Sequence, residues 1–343
     1  MAGGQERTLR RRIRSIQSTK KITRAMELIA ASRIVKAQQA IAAARPYVEK
    51  MAEVVSHLAD TPDGREHPLF REPDSVGKAV VIAIAGDRGL SGAYNSSVIR
   101  ATERVLAERS EAGAEVSVVA SGRKVINYFR YRDRQLAASF TGFSERPTSA
   151  DAKEIADAVM EPFTAGDVDE ITLVYTNFIS VGTQRVVVRK LIPLDPEAAN
   201  EGSDGDGRSD DGDGGRGDGD RDSSARGSSA GGDSAKSKAD YEFEPDPGEI
   251  LDRLLPSWLQ AEILAALLSA SASEYAARQR AMKAATDNAD DLIKTLSRIM
   301  NRARQDAITT EIMEIVGGAE ALRGGEDHGS ATESYESAEA RPA

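Results

Sequence analysis

The stretch Ile34–Leu58, IVKAQQAIAAARPYVEKMAEVVSHL, decides how the first part of the chain folds. Its apolar residues recur at alternating intervals of three and four: Ile34, Ala37, Ile41, Ala44, Val48, Met51, Val55 and Leu58. This spacing is typical of a helix that buries one narrow seam against another helix. Pro46 lies inside the stretch, so we expect a kink or a break there.

The same rhythm extends toward the N-terminus of this helix. Ile22, Met26 and Ile29 repeat the spacing, with a register step before Ile34. The segment is also strongly basic. Residues 1–50 hold twelve Lys or Arg and three Glu, a net charge of +9, so the rest of the chain carries −19 within a total of −10. Such an asymmetry predicts a basic element that meets an acidic partner.

A second long helix is predicted near the C-terminus, after Pro256 and before the stop signal of Gly317 and Gly318. Its predicted seam repeats the same spacing: Leu264, Leu268, Ser271, Tyr275, Arg278, Met282, Ala285, Ala289, Leu292, Leu296, Ile299 and Ala303. Because each helix must bury its apolar stripe to be stable, we predict that the two terminal helices pair with each other in antiparallel fashion.

Between the two helices, the pattern changes to that of a small α/β domain. The run Ala79–Ala85, AVVIAIA, is typical of a strand covered on both faces. Further strands are predicted at Val116–Ala120, Ile171–Tyr175 and Val186–Leu194, and helices at Lys124–Tyr131 and Ala152–Phe163. Alternating strands and helices predict a Rossmann-like, mostly parallel sheet. The short loop around Gly182 indicates that the last two strands form an antiparallel edge pair.

The predicted fold class is therefore α/β, with a long antiparallel coiled coil of the N- and C-terminal helices and a Rossmann-like α/β domain between them. Of the 41 residues in 200–240, 11 are Gly, 8 are Ser and 11 are Asp or Glu, a composition typical of disorder. The predicted segments are a coiled-coil helix at 1–60, a connector at 61–77, the α/β domain at 78–198, a disordered insert at 199–240, a coiled-coil helix at 241–322 and a disordered acidic tail at 323–343.

The composition excludes several kinds of chemistry. The chain has no cysteine, so disulfides, thiolate nucleophiles and cysteine zinc sites are impossible. His57, His67 and His328 lie far apart and offer no metal-ligand spacing. No run of 18 apolar residues occurs, and arginines interrupt the first apolar positions, so neither a membrane span nor a secretory signal is predicted. We predict no catalytic, cofactor-binding or metal-binding residues, and a mechanical role.

Three alternatives stay open at this point. The loop Gly86–Gly92, GDRGLSG, follows a strand and precedes a helix, where phosphates bind, but it matches neither nucleotide-binding glycine motif. A nucleotide-binding α/β protein is therefore the alternative function. The Asp-rich stretch from Asp218 fails the EF-hand pattern at Ser223 and Ser229. The basic first helix could bind nucleic acid or be a transit peptide, although its heptad pattern continues past residue 50.

Three motifs, in order along the chain, resemble a known family. Ile13–Arg33, IRSIQSTKKITRAMELIAASR, is similar to the N-terminal signature of the gamma subunits of F-type ATP synthases. Gly86–Asn95, GDRGLSGAYN, resembles that family's loop after the first strand, and Ser273–Ala319 resembles its C-terminal signature. The resemblance covers the chain from about Gln5 to Leu322, apart from the insert.

The resemblance implies a rotor without an active site or cofactor of its own. In this family, the coiled coil penetrates a ring of three α and three β subunits, with one copy per complex. The α/β domain forms a foot that rests on the membrane c-ring and binds the epsilon subunit. Proton flow turns the ring and the shaft, which drives each β subunit through ATP synthesis. The implied location is the cytoplasmic face of a bacterial plasma membrane, as a peripheral part of the complex.

The resemblance also assigns partner contacts to individual residues. Arg304, Gln305 and Thr309 match positions at or beside a catch loop of β, and Met26 matches a position facing its acidic lever loop. Complementary charge there would come from Lys20, Lys21 and Arg24, and foot contacts close to the c-ring from Tyr241 and Glu244. Ser91 replaces a cysteine common in the family, and the insert lacks the cysteine pair of photosynthetic members, so thiol switching is not expected.

Overall fold

The computed structural model describes most of the chain outside the insert. The described residues are 2–59, 61, 67, 70, 75–194 and 247–327, without the side chains of 2–4, 247 and 321–327. The predictions of a disordered insert and of an acidic tail beyond 327 lie outside these residues, as does most of the predicted connector. The described part contains five helices and five strands. The domain boundaries predicted from the sequence stay predictions.

The first helix, α1, spans Ala2–Ala59 without interruption. Pro46 lies inside it, so of the kink or break expected there, the break is wrong. A proline removes the backbone hydrogen bond to the residue four positions earlier. Both Pro46 and that residue, Ala42, lie on the exposed side of α1, where water can satisfy the freed carbonyl.

The seam of α1 follows one unbroken repeat of three and four. Every seam residue predicted from Ile34 to Leu58 is buried or half-buried, which confirms that part of the pattern. The predicted register step is wrong, because Ile22 and Ile29 are 58% and 59% exposed. The repeat instead continues through buried or half-buried residues that include polar ones: Ile13, Ile16, Lys20, Thr23, Glu27 and Ala30.

The sheet has the strand order β3-β2-β1-β4-β5. Its strands are β1 (Lys78–Ile84), β2 (Glu115–Ser121), β3 (Leu136–Phe140), β4 (Glu170–Phe178) and β5 (Gln184–Ile192). The first four pair in parallel, and β5 pairs with β4 in antiparallel fashion, as predicted from the short loop. The sequence patterns missed β3, whose short alternation of half-buried and exposed residues contains no apolar run.

Helices cover both faces of this sheet. They are α2 (Tyr94–Glu111), α3 (Arg123–Tyr131) and α4 (Ser149–Thr164), and α4 begins at a capping box formed by Thr148 and Asp151. Alternate residues of β1 enter two separate cores, one shared with α2 and α3 and the other with α4 and the terminal helices. Burial on both sides explains why β1 reads as a continuous apolar run.

The last helix, α5, spans Pro247–Asp327, longer at both ends than the helix predicted between Pro256 and Gly317. Pro256 lies inside it rather than before it, and the predicted stop at Gly317 and Gly318 is wrong. Glycine lowers helix propensity by about 1 kcal/mol without forbidding a helix, so the pair does not terminate α5.

The seam predicted for α5 is correct at ten of its twelve positions, which are buried or half-buried, and wrong at two. From Tyr275 to Ala289 the predicted positions are buried or half-buried, but Leu292 and Ile299 are 52% and 45% exposed. Ile293 and Met300 occupy the seam instead, one residue further on in each case.

Residues 261–276 of α5 are buried on nearly all sides, because this part of the helix packs into the core of the sheet. A narrow seam therefore does not describe them. One window of α5, within Gly248–Glu320, is apolar enough to cross a membrane by length and composition. Since 67% of that window is buried inside the fold, packing against the sheet accounts for its apolar character.

The chain divides into two compact units. The helix-pair unit comprises Met1–Ser32 and Ala277–Ala343 with the short loop Leu90–Gly92, and the sheet unit comprises Arg33–Gly89 and Ala93–Ala276. Both long helices contribute residues to each unit.

Candidate partner-binding site on the helix pair

In the helix-pair unit, a polar layer joins α1 to α5. The hydroxyl groups of Thr23 and Thr286 lie 2.8 Å apart and share a hydrogen bond, and both side chains are buried. Lys20 donates to the carboxylate of Asp290 at 2.5 Å. The residue numbers of the paired positions rise from 286 to 290 on α5 while they fall from 23 to 20 on α1. The two helices therefore run antiparallel, as predicted.

The three cations assigned to a partner contact differ in their surroundings. Lys20 is half-buried and already paired with Asp290. The guanidinium of Arg24 donates to both carboxylate oxygens of Glu27 at 2.9 Å on its own helix. Lys21 is exposed and makes no ion pair with any residue that the structure describes. Of the three, Lys21 therefore presents the least compensated charge to a partner.

A second apolar stripe lies on the outer side of α1, next to the seam. It consists of Ile22, Met26 and Ile29, which follow a spacing of four and three and therefore share one helix face. Met26 is half-buried, whereas Ile22 and Ile29 are more than half exposed. The stripe read as a seam in the sequence is thus a solvent-facing apolar surface within this unit.

The end of α5 extends beyond the start of α1. Counting along both helices from the Thr23–Thr286 pair places Ala2, the first residue of α1, opposite Ala307. The remainder of α5 to Asp327 adds about 30 Å of helix. Its exposed apolar side chains are Ile308, Ile312, Met313, Ile315 and Val316. We call residues 308–316 the protruding end. The sequence patterns missed it because the predicted seam ends at Ala303 and the apolar residues after it received no assignment.

Arg304, Gln305 and Thr309 are all exposed and lie at the base of the protruding end. Within the described part of the chain, Arg304 forms no ion pair or side-chain hydrogen bond, so its guanidinium is available to a partner. The structure thus brings together these three residues on α5, while Met26 and the three cations lie farther along the helix pair on α1. Tyr241 and Glu244 lie outside the described residues.

In the sheet unit, the crevice where strand order reverses is closed. In open α/β sheets, ligands bind at the carboxyl ends of the strands at this point, here between β1 and β4. A Cβ atom on Gly86, just after β1, would lie 2.7–2.9 Å from the carboxylate atoms of Glu274 on α5. Glu274 is 3% exposed. The chain's own helix therefore occupies the space that a nucleotide phosphate would need.

The acidic residue of the glycine loop, Asp87, also has a structural position. Its carboxylate accepts hydrogen bonds from the backbone N–H groups of Arg123 and Gly142 and from the hydroxyl of Ser144. Asp87 is buried, and these bonds tie the loop to the start of α3 and to the segment after β3. Its carboxylate lone pairs are thus committed to holding loops together.

Perturbed titratable groups in the sheet unit belong to packing contacts. Burial raises the pKa of Glu262 on α5, and the neighbouring Arg189 on β5 opposes that rise. Burial likewise raises the pKa of Tyr175, and a hydrogen bond to Glu103 raises that of Tyr128. Among the residues that the structure describes, no group of three or more His, Cys, Asp or Glu is placed to hold a metal ion.

The chain is similar to proteins of one family over nearly its whole length. The family model described as ATP synthase matches residues 5–322. An ATP synthase gamma chain of Frankia casuarinae is 46% identical over 326 residues, covering 94% of this chain and 99% of that protein. One from Streptomyces coelicolor is 42% identical over 325 residues, covering 93% and 97%.

Solved structures share the fold at low sequence identity. A chain of the Euglena gracilis mitochondrial ATP synthase (OSCP/F1/c-ring) has a TM-score of 0.60 at 16% identity, with 99% of this chain and 100% of that chain covered. A chain from the central stalk and c-ring structure of the Tetrahymena thermophila mitochondrial ATP synthase has a TM-score of 0.51 at 22% identity, covering 77% and 99%.

Proposed function

The chain belongs to the ATP synthase gamma-chain family, and from this premise we propose that it is the central-stalk rotor subunit of a proton-translocating F-type ATP synthase. It couples rotation of the membrane c-ring to the conformational cycle of the catalytic β subunits. Its partners are three α and three β subunits, the epsilon subunit and the c-ring. It is a peripheral part of the membrane-bound complex.

One observation carries the mechanical side of this function: the antiparallel helix pair with exposed apolar surface at its end. Exposed apolar patches mark surfaces that meet a partner. The protruding end and the Ile22–Ile29 stripe expose such side chains on helices that already have a buried seam. A helix pair that is held together internally and apolar outside fits a shaft enclosed by other subunits.

Finer assignments are part of the proposal. We propose that the chain has no active site of its own, which the closed crevice at Gly86 and Glu274 supports. We further propose that Arg304, Gln305 and Thr309 contact a loop of β, that Met26, Lys20, Lys21 and Arg24 face its acidic loop, and that Tyr241 and Glu244 lie near the c-ring. The complex would lie on the cytoplasmic face of the plasma membrane.

The test is reconstitution of the purified chain with α and β subunits. We expect one copy to join three α and three β subunits, with rapid steady-state ATP hydrolysis only when the chain is present. The α and β subunits without the chain are the control for hydrolysis, and the chain alone is the control for intrinsic activity. A chain that stays separate, or one that hydrolyses ATP by itself, would overturn the proposal.

A further inference from the structure

Three buried polar residues of α5 face the antiparallel strands β4 and β5. They are Glu262, Ser269 and Ser273, which are 4%, 8% and 0% exposed. The spacing of seven and four places them on one side of the helix. We call these three residues the polar stripe. All three belong to the sheet unit, while α5 itself continues into the helix-pair unit.

Each residue of the polar stripe is hydrogen-bonded across to the sheet. Arg189 of β5 donates to both carboxylate oxygens of Glu262, at 2.7 and 3.4 Å. The hydroxyl of Ser269 accepts from the backbone N–H of Phe178 and donates to the side-chain oxygen of Asn177, both at 2.8 Å.

Ser273 completes the row by donating to the backbone carbonyl of Thr176 at 3.1 Å. The stripe therefore contacts three consecutive residues at the end of β4, as well as the middle of β5. Ala270, the residue after Ser269 on α5, makes a further hydrogen bond. Its backbone carbonyl accepts from the hydroxyl of Tyr94 on α2 at 3.1 Å.

These hydroxyl groups reach outward, unlike that of the buried Thr102 on α2. Thr102 donates to the carbonyl four residues earlier on its own helix. Such back-bonding satisfies a buried hydroxyl without any partner element. Ser269 and Ser273 instead bond to β4, so their hydroxyls link two elements rather than only satisfying themselves.

The polar stripe lies among apolar core residues, so its hydrogen bonds are the directional contacts between this part of α5 and the sheet. The neighbouring α5 residues Ile263, Ala266 and Leu267 are buried in the apolar core. The close-packed apolar core resists rotation of the helix through steric contact, but apolar contact is not directional and adds no angular preference of its own. Hydrogen bonds depend steeply on distance and angle, and a buried polar group left without its partner is costly. A row of such bonds therefore resists rotation of the helix against the sheet.

We propose that the polar stripe of Glu262, Ser269 and Ser273 is the joint that fixes α5 against the β4–β5 edge and transmits torque from the α/β domain to the helix. The proposal rests on the rotor function proposed above. In that function, torque enters through the α/β domain and is passed on along α5. This requires that the helix does not rotate about its axis relative to the sheet. The three residues are thus positioning residues for energy transfer.

The experiment measures torsional fluctuation in the assembled complex. The chain has no cysteine, so Tyr131→Cys, at a side chain that is 85% exposed, gives one attachment point for a bead on the α/β domain. With the α and β subunits fixed to a surface, the angular variance of the bead is recorded in the Ser269→Ala/Ser273→Ala variant. The matched control is Ser96→Ala/Ser110→Ala, which changes two exposed serines of α2.

The expected result is a larger angular variance in the stripe variant alone. Since two of three directional attachments are removed, the variance should rise by up to about three-fold if the three share the stiffness equally, and by less where the packed core contributes to it. ATP-driven proton pumping per ATP hydrolysed should fall in the same variant. A merely structural role would lower the yield of complex but leave the variance of assembled complexes unchanged.

Other outcomes separate the joint from the rotor function. If the double variant does not assemble, Ser273→Ala alone is measured, and a smaller rise in variance supports the joint. Unchanged variance in an assembled variant overturns it, as does failure of both variants to assemble beside a wild-type complex that forms. If the wild-type chain itself neither assembles nor rotates, the proposed rotor function fails first.

Discussion

At the scale of the residue, exposure separates the side chains that can contact a partner from those already committed within the chain. Arg304 is exposed and unpaired among the described residues, whereas Lys20 and Arg24 each hold a carboxylate. An assignment by motif treats all of these cations alike. The geometry ranks Arg304 and Lys21 above Lys20 and Arg24 among the proposed contacts to β.

Arg304→Ala should lower ATP turnover of the assembled complex more than it lowers assembly. A hydrogen bond to a charged group is worth about 1.5–3 kcal/mol, which corresponds to a loss of about ten-fold or more in turnover. Steady-state ATPase rates of purified complexes give the measurement. Arg302→Ala, an exposed arginine about 200° around the same helix, is the matched control. Normal turnover of a normally assembled Arg304→Ala complex would remove Arg304 from the site.

Glu262 should make stability depend on pH in a specific direction. Burial raises its pKa above the ordinary value of 4.5 in the folded chain. The folded state then binds the proton more tightly than the unfolded state. The stability that this binding adds is fully present below about pH 4.5 and is lost as pH rises through the pKa of the folded state. The free energy of unfolding of the full chain, measured with denaturant at a series of pH values, should fall less steeply above about pH 4.5 in Glu262→Gln than in the wild type. An identical pH dependence in the two chains would contradict the shift.

At the scale of the element, the first long helix shows which buried residues the spacing of apolar residues can predict and which it cannot. The seam from Ile34 to Leu58 was read correctly because its members are apolar and face one partner. The continuation through Thr23 and Glu27 was missed because it is polar, and the residues taken in its place, Ile22 and Ile29, are exposed. A hydrophobic pattern cannot distinguish a buried seam from an exposed apolar stripe.

The glycine pair Gly317 and Gly318, directly after the protruding end, should make this stretch of α5 less stable than its length suggests. A Cβ atom added at Gly317 or Gly318 would meet nothing within 4 Å. Alanine there should stabilise the helix by about 1 kcal/mol per site, so amide hydrogen exchange around residue 317 should slow by about five-fold per substitution.

Gly113 is the matched control for this prediction. It also has open space around a Cβ, but its φ of +88° disfavours any L side chain. Gly113→Ala should therefore destabilise the full chain, whereas the two helical substitutions should not. Unchanged exchange in Gly317→Ala/Gly318→Ala would mean that this part of α5 is not helical in solution.

At the scale of the whole molecule, the insert is expected to be dispensable for coupling. Deletion of 200–240 leaves eleven residues between Leu194 and Pro247, which can span up to about 36 Å. Leu194 and Leu251 belong to the same core cluster, so a linker of this length should allow the fold to form. Because the insert cannot bury a core of its own, assembly and coupled ATP synthesis should stay at wild-type levels.

Membrane vesicles that contain the complete synthase provide the measurement, as ATP synthesis driven by a proton gradient. A chain with 200–240 replaced by an equal length of Gly and Ser controls for linker length. Loss of synthesis in both chains would contradict the prediction and assign a role to the acidic residues. Loss in the deletion alone would show that length, and not composition, is required.

The sequence by itself determined the features that repeat locally. The seam at Ile34–Leu58, the apolar run of β1 and the antiparallel edge pair follow from spacing within one or two elements, because periodicity reports which face of an element is buried. The family follows from motifs spread along the chain. The ends of α5, the strand β3 and the exposed Ile22–Ile29 stripe were not predicted from these patterns.

Only the tertiary structure decided what the long-range contacts accomplish. Glu274 closes the crevice beside Gly86, and the polar stripe bonds to strands that precede it by more than seventy residues. Neither arrangement leaves a local pattern, because a buried Glu or Ser in a helix is identical in sequence to an exposed one. The physical reason is that burial and hydrogen-bond partners are set by which elements pack together, and that packing exists only once the chain has folded.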